Sequence, residues 1–164
     1  MVGIMLNQHD KKIFNITMRK INEIILHCSA TPEGKDFKAK DIRKWHKEKG
    51  WVDIGYHFVV DLDGTIEPGR DIDKVGAHCL GHNTNSIGIC YIGGCDKQMN
   101  AKDTRTQAQK DALLDLVFLL MKQYHLNINQ VHCHNEFELK KACPSYTISQ
   151  FREEYKRAFE NDKK

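Results

Sequence analysis

Proline is scarce, with three in 164 residues, and no Pro/Ser-rich linker, low-complexity run or internal repeat divides the chain. A chain of this length with no linker is expected to fold as one domain around a single core. Also missing is any apolar run approaching the ~18–20 residues that cross a bilayer as a helix, so membrane insertion is not expected. The first residues, MVGIMLNQHDKKIFN, lack a basic start, an apolar stretch and a small-residue cleavage site. They do not read as a signal peptide, and the protein as written is expected in the cytoplasm. Neither charge is in large excess: 25 Lys+Arg against 22 Asp+Glu leave a net charge of +3. With no basic stripe interleaved with aromatics, a nucleic-acid module is the least favoured reading. HExxH is absent too, and with it the helix-borne general base of many metalloproteases.

Cysteine, by contrast, is plentiful. Cys28, Cys79, Cys90, Cys95, Cys133 and Cys143 form no CxxC pair, and most sit in apolar stretches such as ILHCS and IGICYIGG. A core of this size needs no disulfide framework and no export signal is visible, so most of these thiols are expected to be buried small hydrophobes. A cysteine with polar, histidine-rich company is the exception to examine.

Periodicity predicts the order β-α-β-β-β-α-β-α, an α/β fold with a central mixed β-sheet flanked by helices. INEIILHCS (21–29) reads as a strand with a polar end at His27, Ser29 and Thr31. DFKAKDIRKWHKEKG (36–50) reads as a helix with Phe37, Ile42, Trp45 and Lys49 on one face and Gly50 as its stop. YHFVVDLDGTIEPGR (56–70) reads as a hairpin turning at Asp63-Gly64, and SIGICYIGG (86–94) as a central strand buried on both faces. Thr106 with Gln109 and Thr147 with Gln150 are capping boxes opening two further helices. The first carries the stripe Leu113, Leu116, Val117, Leu120 and Tyr124, the second Phe151, Tyr155 and Phe159. NINQVHCH (127–134) between them reads as a strand. Residues 1–20 are expected to be an N-terminal extension and 21–160 the domain.

The chemistry concentrates where strands end. In a strand, His132 and His134 would share a face and Cys133 the opposite one. His27 and His134 lie at strand ends, where loops converge over a rigid sheet, and Cys143 follows a short loop. Two imidazoles and one thiolate are a standard partial set for Zn²⁺, with a fourth position left for water. No local spacing rule joins these residues, so two satisfied histidines and one more buried thiol are the favoured reading of the residues alone. A Cys–His hydrolase using Cys28 or Cys143 is a third.

The stretches ILHCSAT (25–31), IRKWHKEKGWVDIGYHFVVDLDGTIEPGRD (42–71), VGAHCLGHNTNSIGICYIGG (75–94) and HNEFELKKACPSY (134–146) change that balance. Taken in this order over nearly the whole domain, they resemble the zinc-dependent N-acetylmuramoyl-L-alanine amidases, the group of phage T7 lysozyme and the peptidoglycan recognition proteins. The resemblance implies hydrolysis of the amide between N-acetylmuramic acid and L-alanine of peptidoglycan, with Zn²⁺ held by His27, His134 and Cys143. It implies Tyr56 and Lys141 as catalytic residues, and His78, Asn83, Asn85 and Ser86 as residues bordering the substrate. The loop between His134 and Cys143 is one residue longer than in similar sequences, which leaves Lys140 as a rival to Lys141 and His132 as a rival ligand. A lytic phage or prophage role for a monomer is the expectation, with a non-catalytic peptidoglycan-binding domain as the alternative.

Overall fold

The structure is a computed structural model and describes residues 19–160. Its frame is a five-stranded sheet in the order β4-β3-β5-β1-β7. The β-branched run EIILHC forms β1 (Glu23–Cys28), and SIGICY forms β5 (Ser86–Tyr91). They pair in parallel from Glu23↔Ser86 to Cys28↔Tyr91. On the other side β1 pairs in parallel with β7 (Val131–Cys133), aligning Ile25 with His132. Strand β3 (Phe58–Val60) runs parallel to β5 and antiparallel to β4 (Ile66–Pro68). Every residue of β5 is buried, as a central strand covered on both faces requires. Strand β4 is an edge strand, mostly exposed and ending in Pro68.

The hairpin turns through a three-residue loop. Asp61 N–H donates to Thr65 O, and Gly64 occupies the left-handed region at φ 86. One sheet was not foreseen: β2 (Thr31–Pro32) pairs in parallel with β6 (Gly94–Cys95), two residues each, too short for a periodic signal. The run 127–134 is also more broken than expected. Ile128–Gln130 and His134–Glu136 are 3-10 turns on either side of β7.

The two sheet faces differ. Ile24, Leu26, Ile87, Ile89, Tyr91, Phe58, Val60, Val131 and Cys133 form one core with α2 (Gln107–Tyr124) and α3 (Ile148–Phe159). Leu113, Leu116, Val117 and Leu120 of α2 and Phe151 and Tyr155 of α3 supply the helical side. Thr106 caps α2 reciprocally with Gln109, as expected. Thr147 accepts from Gln150 N–H, but the Gln150 amide donates to Asp103 instead of closing a box. On the opposite face a smaller cluster joins Val59, Cys90, Ile54 and Ile92 to Ala39 and Ile42 of α1 (Ala39–Glu48). Trp45 packs on this cluster, edge to face with Phe37, while Lys49 is the exposed helix cap rather than part of the apolar face. Over β1 this second face is covered by loops rather than by α1, and His27 lies there.

The expected N-terminal extension lies outside the described residues up to residue 18. Arg19, inside the expected boundary at residue 20, is already part of the domain. Its guanidinium donates to Ile72 O, Thr84 O and Ser86 O. All six cysteines are unpaired, and all but Cys143 are buried.

The burial of α2 is directly testable. Leu113→Ala removes a side chain 1 % exposed and is expected to cost about 2–5 kcal/mol in urea unfolding. Leu119→Ala, on the same helix but 46 % exposed, should stay within about 0.5 kcal/mol.

Candidate metal centre

Strand β1 carries the first candidate donor. His27 is 1 % exposed near the C-terminal end of β1, and its ring meets Tyr56 (5.1 Å), His78 (4.8 Å) and His134 (4.7 Å). His134 opens the 3-10 turn just after β7, the strand beside β1. Its Nδ1 lies 3.2 Å from His27 Nδ1, and Cys143 Sγ lies 3.7 Å from the same nitrogen. All three donor atoms fall within 4.8 Å of one another.

Those spacings can be tested against a metal. A tetrahedron with metal–nitrogen bonds of ~2.0–2.1 Å and a metal–sulfur bond of ~2.3 Å has N–N and N–S edges of roughly 3.3–3.6 Å. The observed 3.2 and 3.7 Å match edges of that size, and the third edge, His134 to Cys143, lies within 4.8 Å. The residues fit a divalent, thiolate-tolerant ion.

Cys143 is held by a rigid loop. Cys28 N–H donates to its Sγ at 3.2 Å, a bond that favours thiolate. Tyr91 hydroxyl donates to Pro144 O at 2.8 Å, Ser145 hydroxyl to Gly94 O at 2.8 Å, and the Asn135 amide to Tyr146 O at 3.0 Å. The Arg105 guanidinium lies 3.7 Å over the Tyr146 ring and is itself paired with Asp103 and Glu154. The loop thus rests on α3 and on the end of β5, and Ser145 tolerates φ 70 within it.

Electrostatics favour a neutral His27. Burial, reinforced by His78 and His134, drives the His27 pKa well below its usual value. His134 places its outer nitrogen, Nε2, 3.0 Å from the Glu138 carboxylate, at an angle that leaves it without a hydrogen bond. The shared hydrogen bond with the Cys28 thiol, together with burial, raises the Cys143 thiol in the absence of a cation. A bound cation reverses that balance, because a coordinating thiol is deprotonated outright.

Tyr56 borders His27 at the end of the loop before β3. The loop is fixed by Gly55 N–H donating to His46 Nδ1 (2.9 Å) and by Arg70 N–H donating to Tyr56 O. Burial raises the Tyr56 phenol well above its usual range, so it stays protonated and able to donate. His46 was not singled out from sequence. Its signal was position: four residues after Ile42, it shares the buried face of α1 and packs 5.5 Å from the Tyr56 ring. Glu138 was also passed over, although it stands four residues after His134.

The remaining expected residues lie elsewhere. His132 faces Glu136 at 3.5 Å, away from the three donors, because β7 ends at Cys133 and His134 begins a turn rather than continuing the strand. His78 and Ser86, expected beside the substrate, lie beneath His27: His78 is 9 % exposed and Ser86 is 0 %. Asn83 Oδ1 accepts from His78 N–H and Cys79 N–H, and the Asn85 amide donates to Lys20 O. Both asparagines thereby hold backbone. Lys140 and Lys141 are exposed on the turn before Cys143, where Lys141 N–H donates to Glu138 O.

A mixed sheet carrying a convergent His–His–Cys set beside a protonated tyrosine is an arrangement of the kind that metal-dependent hydrolases use. The family model for N-acetylmuramoyl-L-alanine amidase matches residues 17–146, and the chain belongs to that family. It is 41% identical over 128 residues to the endolysin of Escherichia phage T7, covering 78% of this chain and 83% of that one. With the endolysin of Klebsiella phage KP32 it shares 42% over 133 residues, 81% and 86% of the two chains. Among solved structures, the N-acetylmuramoyl-L-alanine amidase LysC from Clostridium intestinale superposes with a TM-score of 0.71 at 28% identity over 87% of each chain. Drosophila PGRP-LB superposes with a TM-score of 0.66 at 25% identity, covering 84% of this chain and 81% of that one.

The neutral histidines set a pH dependence. Burial lowers His46 and His57 from 6.5 to about 4 each. A group with a depressed folded pKa binds fewer protons folded than unfolded, so its stabilisation is full above about 6.5 and is lost as pH falls toward 4. Urea unfolding of metal-free protein should therefore show stability declining between pH 6.5 and 4, and His46→Gln should flatten that decline.

Proposed function

We propose that this chain hydrolyses the amide between N-acetylmuramic acid and L-alanine in peptidoglycan, using one Zn²⁺ held by His27, His134 and Cys143. The observation that carries this reading is the convergence of those three donor atoms at zinc-compatible spacing beside a protonated Tyr56. Zinc supplies Lewis acidity, polarising the amide carbonyl and acidifying water toward neutral pH.

The protein's own groups complete the reaction. The Tyr56 phenol, beside His27, donates a hydrogen bond to the oxygen that gains charge as the carbonyl is attacked. Lys141 lies on the exposed turn two residues before Cys143, and its flexible ammonium is the second donor in this reading. Either group can hand a proton to the departing L-alanine amine. Buried, uncharged His27 keeps its lone pair available to the metal instead of to a proton. Among the described residues no helix is long and apolar enough to cross a membrane. The role is that of a monomeric lytic enzyme that meets the cell wall after release from the cytoplasm.

Purified protein incubated with peptidoglycan should release peptides bearing new L-alanine amino termini. Chelation should abolish that release and added Zn²⁺ restore it. Tyr56→Phe should lower kcat by roughly 10²–10³, the usual loss for one oxyanion donor. Lys141→Ala should impair turnover more than Lys140→Ala. Activity that survives chelation but not thiol alkylation would replace this reading with a Cys–His hydrolase. Zinc binding without new amino termini would replace it with a binding domain.

A further inference from the structure

A metal-bound imidazole uses one ring nitrogen, and the other N–H must find a partner that fixes the ring's rotation and tautomer. For His27 the donor nitrogen toward the site is Nδ1, so Nε2 carries the proton and points inward. Carboxylates, backbone carbonyls or water usually receive that proton. Here Nε2 lies 2.8 Å from His78 Nδ1, and His78 Nε2 lies 3.1 Å from Ser86 Oγ. The hydrogen bonds can run only one way: His27 Nε2–H to His78 Nδ1, then His78 Nε2–H to the Ser86 hydroxyl.

We propose that His78 is a positioning residue for the metal ligand His27, anchored in turn by Ser86, so that a buried neutral chain, not a carboxylate, aims His27 Nδ1 at the metal. The inference rests on the zinc reading above but concerns residues that touch neither metal nor substrate.

The surroundings are shaped for this ring. A Cβ at Gly88 would stand 2.6 Å from His78 Cγ and Cδ2, and one at Gly76 would stand 2.7 Å from His78 Cδ2. Glycine inside a strand normally weakens it, and a close approach by another group is the usual reason. Gly88 sits in the fully buried β5 because the His78 ring occupies the space above it. The backbone of His78 is pinned as well, its N–H and that of Cys79 both donating to Asn83 Oδ1. The His57 ring closes the slot from the side at 5.9 Å.

The chain's neutrality has a consequence at the metal. A carboxylate behind His27 would feed negative charge through the ring to the ion and blunt its pull on a carbonyl. An imidazole and a hydroxyl fix the same geometry without that charge. Glu138 faces His134 instead, where its side chain is partly open to water and screened.

The test is zinc affinity, measured by competition with a chromophoric chelator on wild type, His78→Leu, His78→Asn, Ser86→Ala and Cys143→Ser. His78→Leu should bind Zn²⁺ about 10–100-fold more weakly, the usual cost of losing such a partner. His78→Asn places an amide oxygen near the lost Nδ1 acceptor and should recover most of that affinity, which mere filling of the slot would not do. Ser86→Ala should weaken binding by several-fold. A His78→Leu protein that folds and binds zinc like wild type overturns the proposal, as does a His78→Asn protein no better than His78→Leu. If His78→Leu does not fold, Ser86→Ala with wild-type affinity overturns it. Failure of the zinc reading is separate: wild type would not bind zinc, or Cys143→Ser would bind it equally well.

Discussion

Strand β1 lies between β5 and β7, and its parallel pairing with both is the constraint on which the site depends. The register with β7 brings the segment entering His134 alongside β1, so that two residues 107 apart in sequence place their Nδ1 atoms 3.2 Å apart. The register with β5 sets Tyr91 beside Cys28. From there the Tyr91 hydroxyl reaches Pro144 O and the Cys28 N–H reaches Cys143 Sγ. Slipping either pairing by one residue would send His27 to the opposite face, into the core under α2 and α3. The polar site and the apolar core are therefore fixed by the same hydrogen-bond ladder.

Around that frame the protein spends its polar groups on rigidity. Arg105 is fully buried between Asp103, Glu154 and the Tyr146 ring, tying the ligand loop to α3. A buried, paired charge of this kind is a weak source of net stability, but breaking it is costly, and that cost favours a single loop geometry. On the other side of the cleft Arg70 and His46 hold the turn that presents Tyr56. A donor set held this firmly would lose little order on taking up an ion, which is how preorganisation improves binding.

Much of the architecture was legible because it follows period and composition. β1 and β5 announce themselves by β-branched runs, and α2 by its capping box and Leu/Val stripe. The pairs β2 and β6 were not legible, since two residues carry no periodicity. The sequence pattern also treated His134 as the end of a strand, whereas a 3-10 turn begins there and swings it away from His132. At the site, physical reasoning could name His27, His134 and Cys143 only as donors of suitable chemistry, because nothing local links residues 107 and 116 apart. Their joint role came from resemblance, and the fold supplies the proximity. His78 and Ser86 were placed beside the substrate by resemblance alone, which carries no information on the burial of either side chain. Their burial follows from Gly76 and Gly88, whose missing side chains open the slot that His78 fills.

The central claim is that one metal ion sits among His27, His134 and Cys143. Crystals of the protein purified without added metal, with diffraction recorded on either side of the zinc absorption edge, test it most directly. The account predicts one anomalous peak present only above the edge, about 2.0–2.1 Å from both Nδ1 atoms and ~2.3 Å from Sγ. No peak there in zinc-supplemented crystals, or a peak ligated instead through His78 or His132, would contradict it.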